Sequence, residues 1–171
     1  MGTNKALLPL QGKTVVEHIA GEMAAVVPQV VLVGLLPQAI RLPWPSIPDI
    51  QPGRGPVGGL VTALQHLQTE WLLVCACDMP GVTRQLFAAL VDQASHSPAQ
   101  CILAADSRVH PLCAVYHRST LAVFRQALDA GQPRMQDVIA KLSVERLLVS
   151  DPKLLFNINT PEDWVVFQAH A

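Results

Sequence analysis

Apolar positions along this chain switch between two spacings. Gln29 to Leu36, QVVLVGLL, and Leu72 to Cys77 are short continuous apolar runs, which predict strands buried on both faces. Gln100 to Ala104, Cys113 to Tyr116 and Glu145 to Val149 predict further strands, with a turn at Asp106-Ser107-Arg108. Helical spacing recurs over 14–26, 57–68, roughly 83–95, 118–130 and 135–142; in the second of these Val57, Leu60, Ala63 and Leu64 share a face. Residues 37–56 hold six of the fourteen prolines and predict a long loop. Thr160 caps a last helix, with Pro161 at its first position and Glu162 and Asp163 in its first turn. Strand and helix alternate, so the pattern predicts an α/β sheet with helices on both faces, in one domain over 1–171.

Composition narrows the function classes. Half of the 171 residues are hydrophobic, 15% are charged and the net charge is −1, which argues against a disordered chain. Lys and Arg are scattered, so no basic stripe predicts nucleic acid as a partner. The apolar runs end well short of a membrane span, and MGTNKALLPLQGK does not read as a secretory signal. Cys75, Cys77, Cys101 and Cys113 lie in apolar segments without a zinc spacing. They read as buried structural thiols of a reducing, cytoplasmic location.

Candidate chemistry gathers where these elements end. Asp78 stands just past the 72–77 run, before Pro80. In parallel sheets ligands bind beyond the carboxyl ends of strands, and a carboxylate there suits a hard divalent cation held against a phosphate. The other reading is that Asp78 caps the next helix. Gly2-Thr3-Asn4-Lys5 combines a small backbone with one ammonium, as in the tail of a phosphate-binding loop, or is a solvated terminus. Asp49 precedes the Gly-rich stretch Pro52 to Gly59. A carboxylate accepts from the N1–H and N2–H edge of guanine, which cytosine and adenine lack; the same stretch also reads as a Pro/Gly turn. Asn157 and Asn159 lie at a strand end before the last helix, and His110 follows a strand turn as a structural hydrogen-bonding group.

Five segments, MGTNKALLPLQGKTVVEH, PDIQPGRGPVGGL, ACDMP, HPLCAVY and NINTPEDW, occur in an order that resembles the molybdenum cofactor guanylyltransferases. The resemblance covers essentially the whole chain. It implies a Rossmann-like nucleotidyltransferase fold with a mostly parallel central sheet and helices on both faces. It implies transfer of GMP from GTP to molybdenum-molybdopterin, with Mg²⁺ as cofactor and molybdoenzymes or other cofactor-biosynthesis proteins as further partners. Lys5 resembles the lysine on the nucleotide phosphates, and Gly2 the end of that loop. Asp49 resembles the guanine-reading carboxylate, with Gly55 and Pro56 beside it, and Asp78 the magnesium ligand. Asn157 and Asn159 match asparagines facing the pterin, with Arg134 as a looser match.

The chain departs from the family pattern at its amino end. The signature Leu-Ala-Gly-Gly, Ser, Arg-Met-Gly is represented only from its Met onward, so the first strand and most of the Gly-Gly phosphate loop are expected upstream of Met1. Asn4 stands where Asp is usual, and Leu35 and Leu36 where Asn is frequent. Two alternatives stay open. One is a cytidylyltransferase, or another NTP-dependent enzyme of this fold; the cytidylyl enzymes tend to carry Gln at the position of Met79. The other is a non-catalytic module that binds cofactor or partner without turnover.

Overall fold

The computed structural model describes residues 5–34, 42–131 and 134–169. A short hairpin, β1 (Pro9–Leu10) and β2 (Lys13–Thr14), leads into α1 (Val15–Ala24). Thr14 starts that helix with a capping box: its Oγ1 accepts from Glu17 N–H, and the Glu17 carboxylate accepts from Thr14 N–H. Then come β3 (Leu32–Val33), β4 (Ser46–Ile47), α2 (Gly55–His66), β5 (Trp71–Cys75) and α3 (Arg84–His96). The chain continues through β6 (Cys101–Ala105), β7 (Val109–His117), α4 (Leu121–Asp129), α5 (Met135–Ile139), β8 (Val144–Leu148) and α6 (Pro161–Ala169).

Four strands pair in the order β5-β7-β6-β8, and β3 and β4 form a separate parallel pair. β7 runs antiparallel to both neighbours, while β6 and β8 are parallel. The expected α/β class holds: β5, β6 and β8 run the same way, and β7 is the one strand of this sheet that runs against them. The reason is local: the three-residue turn at Asp106 to Arg108 is too short for a crossover, so β6 and β7 must form a hairpin. The helical crossover between β7 and β8 is long enough to return β8 parallel to β6.

Side-chain alternation along the strands builds two cores. Leu73, Ile102, Ala104, Cys113 and Val115 pack with Val15 and Ile19 of α1 and Phe87 and Leu90 of α3. Cys101, Leu103, Ala114 and Tyr116 face the other way, against Val57, Leu60, Val61 and Leu64 of α2, Phe124 of α4 and Val138 of α5. Period 2 in the strands and 3.6 in the helices thus place helices on both faces. Phe87 and Phe124 are fully buried, each contributing ~1.5–3 kcal/mol relative to exposure.

Two strand expectations change. In β5 only Leu73 is buried, the other residues being half-buried, because β5 is an edge of the four-stranded sheet among the described residues. Over 29–34, the described part of the run 29–36, Leu32–Val33 is strand, and Val33 is 38% exposed. Leu35 and Leu36 lie outside the described residues, as do Gly2 and Asn4. Of the four cysteines, Cys101 and Cys113 are buried, Cys75 is half-buried and Cys77 is exposed, so Cys77 is not a core thiol. Burial pushes the Cys101 thiol up to about 12.

Candidate active site

β5 delivers Asp78 to the end of the sheet. The last pairing contact is Ala76 N–H donating to the Leu112 carbonyl at 2.8 Å. Beyond it Cys77 is exposed and Asp78 half-buried, and then Met79 and Pro80 turn inward and anchor the chain. Asp78 does not cap α3. Thr83 does, its Oγ1 accepting from Leu86 N–H.

The segment after the 3-10 turn Pro152–Leu155 lies against this strand end. Ile158 N–H donates to the Asp78 carbonyl at 2.8 Å, and Asn157 Nδ2 donates to Asp78 Oδ1 at 3.3 Å. Buried Leu155 and Ile158 on either side of Asn157 hold the segment down. Gly81 permits the close approach: a Cβ there would stand 2.1 Å from the Lys153 carbonyl oxygen.

Asn159, exposed two residues further on, accepts from Lys5 Nζ at 3.3 Å through its Oδ1. Its backbone N–H and that of Thr160 both donate to Asp163 Oδ2 at 2.8 Å, and Asp163 N–H returns a bond to Thr160 Oγ1. The N–H groups of Asn159 and Thr160 hold the Asp163 carboxyl below its ordinary value. Beside Asp78, burial and the neighbouring carboxylate push the Cys77 thiol up, so it is no ready thiolate.

The oxygens at Asp78 fit a hard divalent cation. Asn157 Oδ1 is buried and has no hydrogen-bond partner, an arrangement that costs ~1–3 kcal/mol when nothing compensates it. The orphaned amide oxygen belongs to the side chain that touches the Asp78 carboxylate, and both are oxygen donors of the kind Mg²⁺ and Mn²⁺ take. No cluster of three or more His, Cys, Asp or Glu suited to a metal occurs among the described residues. A cation held by only one or two protein oxygens and completed by phosphate and water is the usual Mg²⁺ arrangement.

Asp49 sits in a second network, just past β4. Its Oδ1 accepts from Gln51 N–H at 3.0 Å and from the Thr62 hydroxyl at 2.9 Å. Gly55, with φ +62°, and Pro56 open α2, and the N-cap residue Arg54 offers no side-chain cap. No hydrogen bond joins this network to Asp78 among the described residues. Arg134 is exposed and precedes α5, whose buried Val138 and Ile139 pack on the α2 and α4 face; its side chain is not joined to the Asp78 cluster. His110 is buried, and its Nε2 lies 3.1 Å from Asp106 Oδ1, which also accepts from Arg108 N–H, so the pair closes the β6–β7 turn.

Sequence reading missed Thr62 and Gly81. A threonine among apolar helix positions and a glycine after Pro carry no signal, because their partners lie in distant segments.

A carboxylate, two amides and a lysine gather beyond one strand of an α/β sheet, and the chain is a nucleotidyltransferase. The chain belongs to the MobA-like NTP transferase domain family, which it matches over residues 1–147. A relative from Flavobacterium johnsoniae, named "Probable molybdenum cofactor guanylyltransferase", is 30% identical over 165 residues, 95% of this chain and 87% of that one. The crystal structure of molybdopterin-guanine dinucleotide biosynthesis protein A from Archaeoglobus fulgidus superposes with a TM-score of 0.85 at 23% identity, covering 99% of this chain and 91% of that one. A Mycobacterium tuberculosis protein solved in complex with manganese superposes at 0.71 with 16% identity, covering 98% and 92%. The resemblance read from the five segments is borne out at the level of family and fold. No described helix is long and apolar enough to cross a membrane.

Proposed function

We propose that this protein transfers GMP from GTP to molybdenum-molybdopterin, forming the guanine dinucleotide cofactor and releasing pyrophosphate in the cytoplasm. The observation that carries this reading is the joining of Asp78, Asn157, Asn159 and Lys5 at one strand end. The names of the relatives point to the same reaction.

In the reaction, a terminal phosphate oxygen of molybdopterin attacks the α-phosphorus of GTP. A new P–O bond forms, the bond from α-phosphorus to the bridging oxygen breaks, and pyrophosphate leaves with that electron pair. The attacking phosphate monoester has a second pKa of ~6 and is largely ionised at neutral pH, so no general base is required. The residues therefore position and neutralise. Lys5 places its ammonium against the phosphates, and Asn159 holds Lys5 in place. Asp78 and Asn157 would hold a divalent cation, Mg²⁺ in this reading, which would supply positive charge at the transferring nucleotidyl group. Asn159 meets the pterin substrate. An apolar groove of about 450 Å³ adjoins the site through Pro80 and Phe156 and offers its walls to a flat ring. Asp49, beside Gly55 and Pro56, reads guanine.

The test is a binding and turnover comparison of GTP, CTP and ATP with Mg²⁺ and molybdopterin. GTP alone should give both a thermal shift and release of pyrophosphate. Equal use of CTP moves the reading to cytidylyl transfer, and binding without turnover moves it to a non-catalytic module.

A further inference from the structure

We propose that Thr62 is a positioning residue for base selection, holding Asp49 Oδ1 so that Oδ2 is left for the donor edge of guanine. The inference rests on the guanine reading of Asp49. Asp49 lies in a loop bounded by Pro48 and Pro52, with no charged partner among the described residues. A carboxylate so placed needs other contacts to stay in one rotamer.

Thr62 supplies them. It is fully buried on α2 and bridges the helix to the loop twice: its hydroxyl donates to Asp49 Oδ1 at 2.9 Å and accepts from Ile50 N–H at 3.1 Å. With Gln51 N–H also on Oδ1, both lone-pair sites of that oxygen are filled by the protein. Oδ2 remains. It faces Gly58, where a Cβ would stand 3.6 Å from Oδ2 and only 3.0 Å from Arg54 Cβ. A Cβ at 58 would meet Oδ2 at ordinary contact distance and would press on Arg54 and the Gln51 carbonyl.

The hydroxyl also has a second acceptor, the Gly58 carbonyl at 3.0 Å. A helical Thr often bonds the carbonyl four residues back, and that bond alone would be structural. Here one proton serves two acceptors at nearly equal distance. Valine has the same shape but neither donates nor accepts. It would release Asp49 and leave Ile50 N–H unpaired.

The experiment measures binding of GTP and of ITP, whose base lacks the 2-amino donor, to the parent, Asp49→Asn, Thr62→Val, Thr62→Ala and Thr62→Ser proteins, with melting temperatures alongside. The parent should prefer GTP by about tenfold or more, the effect of one hydrogen bond to a charged acceptor. Thr62→Val and Thr62→Ala should lose most of that preference, and Thr62→Ser should keep it. Two removals are included so that the result does not hang on one variant folding. If both keep the full GTP/ITP ratio while Asp49→Asn loses it, or if they lose GTP and ITP affinity equally, Thr62 does not position the carboxylate. If the parent itself binds GTP and ITP alike, the guanine reading of Asp49 fails and the role of Thr62 falls with it.

Discussion

Asn157 Nδ2 stands 3.3 Å from Asp78 Oδ1 across 79 residues of chain, while Asn157 Oδ1 is buried without a partner. The amide is held by one end and unsatisfied at the other. That asymmetry is what a cation bridging the two side chains would resolve.

Asp78→Ala should lower transfer by ~10²–10³, the range seen when one strong transition-state contact is lost. Asn157→Ala should lower it less and should weaken binding of Mn²⁺, followed by electron paramagnetic resonance. Both variants should stay folded, because the site residues are half-buried and the backbone bond from Ile158 to the Asp78 carbonyl survives. An Asp78→Ala enzyme within a few-fold of its parent rules out the cation role.

Lys5 and Asn159 should separate kinetically. Lys5→Ala should weaken GTP binding, since the ammonium serves the phosphates. Asn159→Ala should raise KM for molybdopterin or lower kcat while GTP affinity changes less, because its amide carries both a donor and an acceptor for the second substrate. Equal loss of GTP affinity in the two variants would make Asn159 only the holder of Lys5.

The sequence displayed elements whose signal is local and hid those that depend on distant partners. The 106–108 turn, the strands on either side of it and the Thr160 cap were legible because turn and cap residues act within a few positions. Asp78 was legible as a lone carboxylate ending an apolar run. Its contact with Asn157 was not, because the two come together only when the Pro152–Leu155 turn packs beside the 79–82 loop. The half-buried state of β5 was missed because an apolar run gives no sign of how many neighbouring strands it has.

Glycines 59 and 81 should respond in opposite directions. A Cβ at Gly81 would stand 2.1 Å from a backbone oxygen, so the 152–155 turn must move. Such overpacking costs ~1–3 kcal/mol. At ~2–4 °C per kcal/mol for a domain of this size, Gly81→Ala should lower Tm by roughly 2–12 °C. It should also weaken Mn²⁺ binding, because Asn157 moves with the turn. At Gly59, within α2, a Cβ meets nothing within 4 Å, so Gly59→Ala should leave Tm unchanged or raise it. Calorimetry of the two variants checks both signs. A Gly81→Ala protein as stable as its parent would mean the two segments are not locked together.

Asp163 should make the Asn159 segment acid-sensitive. Its carboxylate accepts from the N–H groups of Asn159 and Thr160, which hold its pKa below the ordinary 3.8 in the folded protein. Unfolded chain therefore takes up this proton at a higher pH than folded chain. The stabilisation is complete above the unfolded value, is lost as pH falls through the lowered folded one, and is unaffected by alkali. The group is only half-buried, at the surface, and the contribution is correspondingly small, so the effect should be local. Amide exchange at Asn159 and Thr160, corrected for intrinsic rates, should quicken as pH drops below about 3.8 while amides of buried β6 stay protected. Asp163→Asn should show the faster exchange at neutral pH and little further change on acidification. If the parent's exchange at these two amides does not depend on pH across that range, the Asp163 cap does not hold the Asn159 backbone, and α6 must be positioned by its Trp164 and Phe167 contacts instead.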